Sequence, residues 1–405
     1  MKLAFVVQRF GADIAGGSEA HCRELALRLA GHHEITVLTT CARDYVTWAN
    51  ALPAGESREG SLRVLRFPVA RQRRMKEFAD LDDQMRDGAD PAQQEAWFRE
   101  NGPIVPGLLE HLRQYGSTYD AVLFWTFRYY PSFFGLPLVA DRAVLVPTAE
   151  EDLTVTLSVL EDFFRRPAGY LFMTPEEEAL VAERAGRPLH PSATIGMGLE
   201  PVTVADRRAV LDRHGVPANY VLYLGRVDRN KGCPTLFDYF QDYAVRDREL
   251  TLVLAGPAKI RIPSHPRILP LGYVSDELRV ALLTHALALV VPSPYESLSI
   301  VLLEAWNYGV PAVVNAFCKV LRGQVRRANG GLYYQSSREF AEAVEFLRTH
   351  PRERAALGDS GRAFVEREYR WPTIVARVEA LLAELTAQRA TVTAAAAPRE
   401  EASPG

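Results

Sequence analysis

Cysteine is scarce in this chain. Four occur in 405 residues, at Cys22, Cys41, Cys233 and Cys318, and none lies in a C-x-x-C. That spacing excludes a disulfide framework and zinc ribbons, and it suits a reducing compartment. Long apolar runs are missing too: no stretch reaches the roughly 18 residues a membrane span needs. The N-terminal run Leu3–Val7 is shorter than a signal-peptide core and is stopped by Arg9, so a cytoplasmic location is expected. No sign of charge dominates. The net charge is -3, which gives no field to attract nucleic acid. Neither G-x-G-x-x-G nor G-x-x-x-x-G-K-[ST] is present, which disfavours a dinucleotide fold and a Walker-type nucleotidase. The nine histidines show no ligand spacing. Asp80 and Asp82 form an Asp-x-Asp, but inside a charged helical stretch that follows no strand, and read as a solvated face. Neither a metal nor a cofactor is therefore expected.

What is present is ample apolar material, 48% of residues, against 24% charged. The length allows two domains with full cores. Short apolar runs predict strands at Leu3–Val7, Glu34–Leu38, Leu62–Phe67, Ala121–Trp125, Ala143–Val146, Tyr170–Met173, Tyr220–Leu224, Thr251–Ala255, Leu287–Val291 and Ala312–Val314. Helical patterns alternate with them. The first starts at Gly17-Ser18-Glu19, with Ser18 as its cap, and sets Cys22, Leu25, Ala26 and Leu29 on one face. Alternation of this kind implies parallel sheets covered on both sides. The series runs to about residue 190 and restarts near Tyr220, so the fold expected is α/β with two doubly wound domains. The prolines and glycines of His190–Arg207 mark the boundary, giving domains over 1–195 and 196–370. A closing helix is expected over 371–386, with Pro372 in its first turn. Residues 387–405, rich in Ala, Pro and Glu, are expected to be disordered. Between Arg58 and Lys76 stand seven basic residues and one acid, Glu59. The segment reads as a solvated face, or as a surface facing an anionic membrane or a pyrophosphate-linked acceptor.

Three loops carry chemistry. Past the first strand lie Gly11, Gly16 and Gly17, where a backbone can approach an anion at a helix start. Leu222–Gly232 is a strand followed by a turn carrying Arg226 and Lys231, two cations placed to suit a diphosphate. Pro294–Trp306 contains Glu296 and Glu304, the second inside an apolar helical run. A buried carboxylate needs a partner, either a nearby arginine or a ligand.

The Gly-Arg…Lys-Gly loop and the Glu-x7-Glu pair resemble those of family 4 retaining glycosyltransferases (glycosyl transferase group 1). The Gly16-Gly17 turn, Gly272-Tyr273-Val274 and the terminal helix follow in that family's order. The resemblance implies a GT-B fold: two Rossmann-like domains, α/β and doubly wound, facing a cleft, with the last helix crossing back to the first domain. It further implies a metal-independent transfer, with retention, from a nucleotide-diphosphate sugar to a glycan or lipid-linked acceptor, as in cell-surface polysaccharide synthesis. Arg226 and Lys231 would hold the leaving diphosphate, Glu296 the transferred sugar and Glu304 the ribose. Ser297, Leu298 and Ser299 would cap the phosphates, Tyr273 and Val274 would lie by the base, and Gly16 and Gly17 would touch the diphosphate from the first domain. One position departs from the pattern. Many members place a histidine in the loop after Ala143–Val146, where this chain has Pro147-Thr148-Ala149-Glu150. Glu150 either serves the acceptor or merely caps a helix. Two other functions fit the same elements: a sugar-nucleotide epimerase or phosphorylase, and a non-catalytic partner subunit that binds nucleotide sugar.

Overall fold

The structure, a computed structural model, describes residues 1–14, 16–203, 207–246 and 249–396. The chain forms two compact units. One comprises Met1–Ile195 with Val375–Gly405, the other Gly196–Ile374.

The first unit is built on eight strands: β1 (Lys2–Val6), β2 (Glu34–Thr40), β3 (Gly55–Glu59), β4 (Leu62–Phe67), β5 (Ala121–Trp125), β6 (Ala143–Val146), β7 (Gly169–Phe172) and β8 (Ser192–Thr194). Their order is β3-β4-β2-β1-β5-β6-β7-β8. All pairs are parallel except β3 with β4. The second unit holds β9 (Tyr220–Leu224), β10 (Thr251–Ala255), β11 (Ile268–Gly272), β12 (Ala288–Val291), β13 (Ala312–Asn315) and β14 (Gly331–Tyr334). That sheet is parallel throughout, in the order β11-β10-β9-β12-β13-β14.

Central strands are apolar end to end because helices cover both faces. β5, β6, β7, β9 and β12 are buried at every residue. The first helix, Gly17–Leu29, buries Cys22, Leu25, Ala26 and Leu29 completely. Its cap differs from expectation. Gly16 occupies the cap position without a side-chain bond, and the Ser18 hydroxyl turns instead to Glu19, 2.9 Å away.

Each sheet reverses its winding once: between β1 and β5 in the first, between β9 and β12 in the second. Ligands of open α/β sheets lie beyond the carboxyl ends of the strands at such reversals. The loops there include residues 7–14 and 126–129 in one unit, and residues 225–232 and 292–299 in the other.

The closing helix is longer than the sequence suggests. It spans Trp371–Ala396, so residues 387–396 of the expected disordered tail are helical. Alanine has the best helix propensity and needs no buried face to continue a helix already nucleated. Arg389 also anchors this stretch, donating to the Asp120 carbonyl at 2.6 Å. Residues 397–405 lie outside the described residues. The helix passes from the second unit to the first between Ile374 and Val375, four residues beyond the expected boundary.

Candidate active site

The turn after β9 is fixed from several sides. The Tyr223 hydroxyl donates to the Arg226 carbonyl at 2.6 Å. Val227 donates to the Pro257 carbonyl at 3.0 Å and accepts from Lys259 N at 2.9 Å. Gly232 has φ 74, and a Cβ there would stand 2.3 Å from the Pro292 carbonyl oxygen. Only glycine permits that backbone and that approach. The approach seats the turn against the start of the loop after β12.

Lys231 and Glu296, 65 residues apart, meet as a result: Nζ lies 2.7 Å from Oε1. Arg226 projects from the same turn and is bonded through Nε to Asp228. Asp228 also accepts from the Lys231 amide at 2.8 Å, so one carboxylate ties down both cation-bearing residues. The sequence reading overlooked Asp228; its signal was a lone acid between two cations on a tight loop.

Glu304 lies on the helix Ile300–Asn307, with only 15% of its side chain exposed. Burial pushes its carboxyl up, against the pull of Arg279, to which it is bonded. The partner of Glu304 is therefore an arginine of the helix Asp276–His285. At the start of the Glu304 helix, Ser299 N donates to Gln324 Oε1 at 3.3 Å. Ser299 Oγ and Gln324 Nε2 are both buried without a hydrogen-bond partner. Ser297 is half-buried and Leu298 buried. Tyr273 is 88% exposed just past β11, the edge strand of this sheet, and Val274 beside it is half-buried. Neither packs against the Lys231–Glu296 pair through any bond in the structure.

The first unit shows a second polar cluster at its own reversal. Arg9 and Glu19 form a buried ion pair at 2.5 Å. A Cβ on Gly16 would stand 2.2 Å from Glu19 Oε2, so the glycine turn is shaped around this carboxylate. Gly17 opens the helix beside it. After β6, Glu150 lies 3.9 Å from Arg128, which pairs with Asp152 at 2.7 Å. Asp152 accepts from Thr154 N at 3.0 Å, so the capping part of the expectation falls to Asp152 rather than Glu150. Thr126 and Thr148, next to β5 and β6, have φ 55 and 50. Left-handed backbone at a β-branched residue is strained, and such strain gathers at functional sites. Beneath the loop, Glu177 accepts from Ala149 N at 2.6 Å and Met173 N at 2.5 Å. Burial, with a contribution from Glu150, pushes its carboxyl up to about 8.

The basic segment Arg58–Lys76 is largely committed to internal bonds. Arg63 pairs with Glu56 at 2.9 Å, and Arg66 donates to the Phe10 carbonyl at 3.1 Å. Arg71 and Arg74 both bond Glu100, whose carboxyl, despite burial, is held down to about 2. Arg73 donates to Asn101 and lies over the Trp48 and Phe78 rings at 5.3 and 4.5 Å.

Residues 212–364 match the family profile of glycosyl transferases group 1. They form a group 1 glycosyl transferase domain. This domain lies within the second unit and contains Arg226, Lys231, Glu296 and Glu304. Mannosylfructose-phosphate synthase of Agrobacterium fabrum (strain C58) is 32% identical over 131 residues, 28% of this chain and 29% of that enzyme. The chain thus spans under a third of the curated relative's length. Solved structures extend the likeness to the whole fold. Sucrose-phosphate synthase of Thermosynechococcus elongatus has a TM-score of 0.72 at 20% identity, over 96% of this chain and 99% of that one. Anabaena HepE, in complex with UDP and glucose, has a TM-score of 0.64 at 16% identity, over 98% and 100%. The fold is thus of the GT-B type, two Rossmann-like units in one chain.

Proposed function

We propose that the chain is a retaining, metal-independent glycosyltransferase that moves a sugar from a nucleotide-diphosphate sugar to a glycan or lipid-linked acceptor. The observation that carries this reading is the junction of Lys231 with Glu296, beside Arg226, at the winding reversal of the second sheet. Arg226 and Lys231 supply fixed positive charge where a diphosphate would leave. That negative charge grows in the transition state, so the cations lower the barrier selectively. Glu296 accepts from Lys231 in the free chain. With donor present it would turn one oxygen to the sugar hydroxyls while orienting the ammonium. Glu304, held by Arg279 in the free chain, would accept from the ribose hydroxyls. The buried, unpartnered Ser299 Oγ and Gln324 Nε2 support a phosphate at the start of this helix, since an unmet polar group in the interior is costly. A nucleotide carrying uridine is favoured by the UDP in the HepE structure.

The reaction breaks the bond between the anomeric carbon and phosphate oxygen. It forms one to the acceptor oxygen on the same face, and the acceptor proton passes to the departing phosphate. No side-chain nucleophile is needed. On this reading Glu150, near Arg128, orients the acceptor hydroxyl where relatives use a histidine. The four cysteines are all free and buried, which fits work in the cytoplasm. Among the described residues no helix is long and apolar enough to cross a membrane.

The test is acceptor-dependent release of UDP from a panel of UDP-sugars, with the product's anomeric configuration read by NMR. Turnover should survive EDTA. Arg226→Ala and Lys231→Ala should each lower kcat by about 3 kcal/mol in barrier, near the loss of one oxyanion donor. An inverted product, or rescue of EDTA-treated protein by Mg²⁺, would overturn the mechanism. UDP release without acceptor consumption would point to the epimerase or phosphorylase alternative.

A further inference from the structure

The first sheet has a pocket at the end opposite its glycine turn. It lies at the amino ends of three adjacent strands, with Lys2 opening β1, Glu34 opening β2 and Arg63 near the start of β4. The register places Lys2 beside Glu34 and Thr36 beside Arg63. The end of the helix Pro106–Tyr115 walls the pocket with aromatic side chains. Tyr115 is 44% exposed and lies 4.9 Å, ring to ring, from His111. His111 Nε2 lies 3.0 Å from the Tyr119 hydroxyl. The cavity measures about 420 Å³, inside the range of ligand sites of roughly 300–1,000 Å³.

Its charges decide what it suits. Lys2 stands beside Glu34 in the register of β1 and β2. The Arg63 guanidinium is bonded by Glu56 at 2.9 Å. Burial and the neighbouring Arg63 lower His111 from its ordinary value, which favours its uncharged form. Around the pocket two carboxylates, Glu34 in the lining and Glu56 behind Arg63, thus offset the two cations Lys2 and Arg63, which leaves no net formal charge to hold a phosphate. The lining offers a mixture instead: a carboxylate that only accepts, an ammonium and a guanidinium that only donate, hydroxyls that do both, and apolar ring surface. A pyranose has that same mixture, hydroxyls around its rim and C–H groups on its faces.

We propose that the first unit carries a second, non-catalytic site for a neutral saccharide of one or two pyranose rings, between the amino ends of β1, β2 and β4 and the aromatic end of the helix Pro106–Tyr115. The sugar lies against Tyr115, with hydroxyls bonded to Glu34, Thr36 and Arg63. The site lies at the opposite end of the first sheet from Gly16, Gly17 and Glu150 and shares no residue with those given a part in transfer, so it holds or fails independently of the reaction proposed above.

Saturation-transfer NMR on the full chain tests it, with maltose, lactose, sucrose and methyl α-mannoside at millimolar concentration. Inorganic phosphate and glucose 6-phosphate serve as anionic probes. At least one neutral saccharide should bind. Tyr115→Ala and Glu34→Gln, both at exposed positions, should each weaken it about tenfold, the loss of one hydrogen bond to a charged group or an equivalent contact. Circular dichroism and acceptor-dependent turnover should be unchanged in both. No binding by any neutral saccharide would overturn the proposal, as would binding that persists in both variants. Tighter binding of glucose 6-phosphate than of any neutral sugar would make it an anion site and overturn it equally.

Discussion

Glu177 shows how a single side chain can brace a site that its own sequence context hides. It sits at the third position of the helix Pro175–Ala185, among three consecutive glutamates, and nothing in the pattern distinguishes it from its half-buried neighbours. In the fold it is buried, and it holds the amides of Ala149 and Met173. Burial, above all, pushes its carboxyl up from 4.5 to about 8. A value raised on folding means that the native state favours the protonated form. The stability this gives is complete below the ordinary value and is lost as pH rises through about 8. Glu177→Gln cannot ionise, so apart from a constant offset it should gain on wild type as pH rises. The gain should be on the order of 1 kcal/mol per pH unit between roughly pH 5 and 8. Urea unfolding of both proteins at several pH values checks this; parallel pH profiles would show that Glu177 stays ionised. Arg226, Lys231, Glu296 and Glu304 stand out in the sequence because charge is conspicuous on a glycine loop or in an apolar run. Asp228, Arg279, Gln324 and Glu177 act through partners distant in sequence or ordinary in context, and a linear pattern carries no trace of either.

At the level of elements, what the sequence reveals depends on where a strand lies in its sheet. All ten strands expected from apolar runs are present within a residue or two of their expected bounds. The four not expected, β3, β8, β11 and β14, are the four sheet edges. An edge strand has one neighbour and more solvent, so it need not be apolar. β3 reads Gly-Glu-Ser-Arg-Glu, and β11 accommodates Pro270. Helix packing was less visible still. The Glu304 helix is positioned by Trp306, fully buried, whose Nε1 donates to the Gly330 carbonyl at 2.7 Å. Gly361, on the helix Pro351–Glu368, gives the indole room: a Cβ there would stand 2.4 Å from Trp306 Cδ1. Gly361→Ala should therefore destabilise the second unit by about 1–3 kcal/mol through overpacking, despite alanine's better helix propensity. Thermal unfolding with a shift read for this unit tests it; an unchanged or raised Tm would mean that the helices part without cost.

For the whole molecule, the repeated α/β winding carried the architecture. The crossing helix, the two-unit division and the strand order follow from chain connectivity and burial. The basic segment is where composition and structure diverge. Its charges stand together in sequence, yet Arg71, Arg73 and Arg74 turn inward to Glu100 and Asn101. Replacing all three by alanine would leave Glu100, almost wholly buried, without a cation and with only the backbone amide of residue 74 as a partner. The variant should lose several kcal/mol of stability, read by chemical unfolding, while its attachment to anionic vesicles changes little. A normal Tm with salt-sensitive vesicle binding lost would instead restore the membrane-contact reading. Titration calorimetry with free nucleoside diphosphates tests the donor-binding role of the second unit most directly. Wild-type protein should bind UDP. Lys231→Ala and Glu304→Gln should each weaken it tenfold or more, whereas Glu296→Gln should retain UDP and lose transfer. Failure of UDP, GDP and ADP alike to bind, or undiminished UDP binding by both Lys231→Ala and Glu304→Gln, would contradict the assignment.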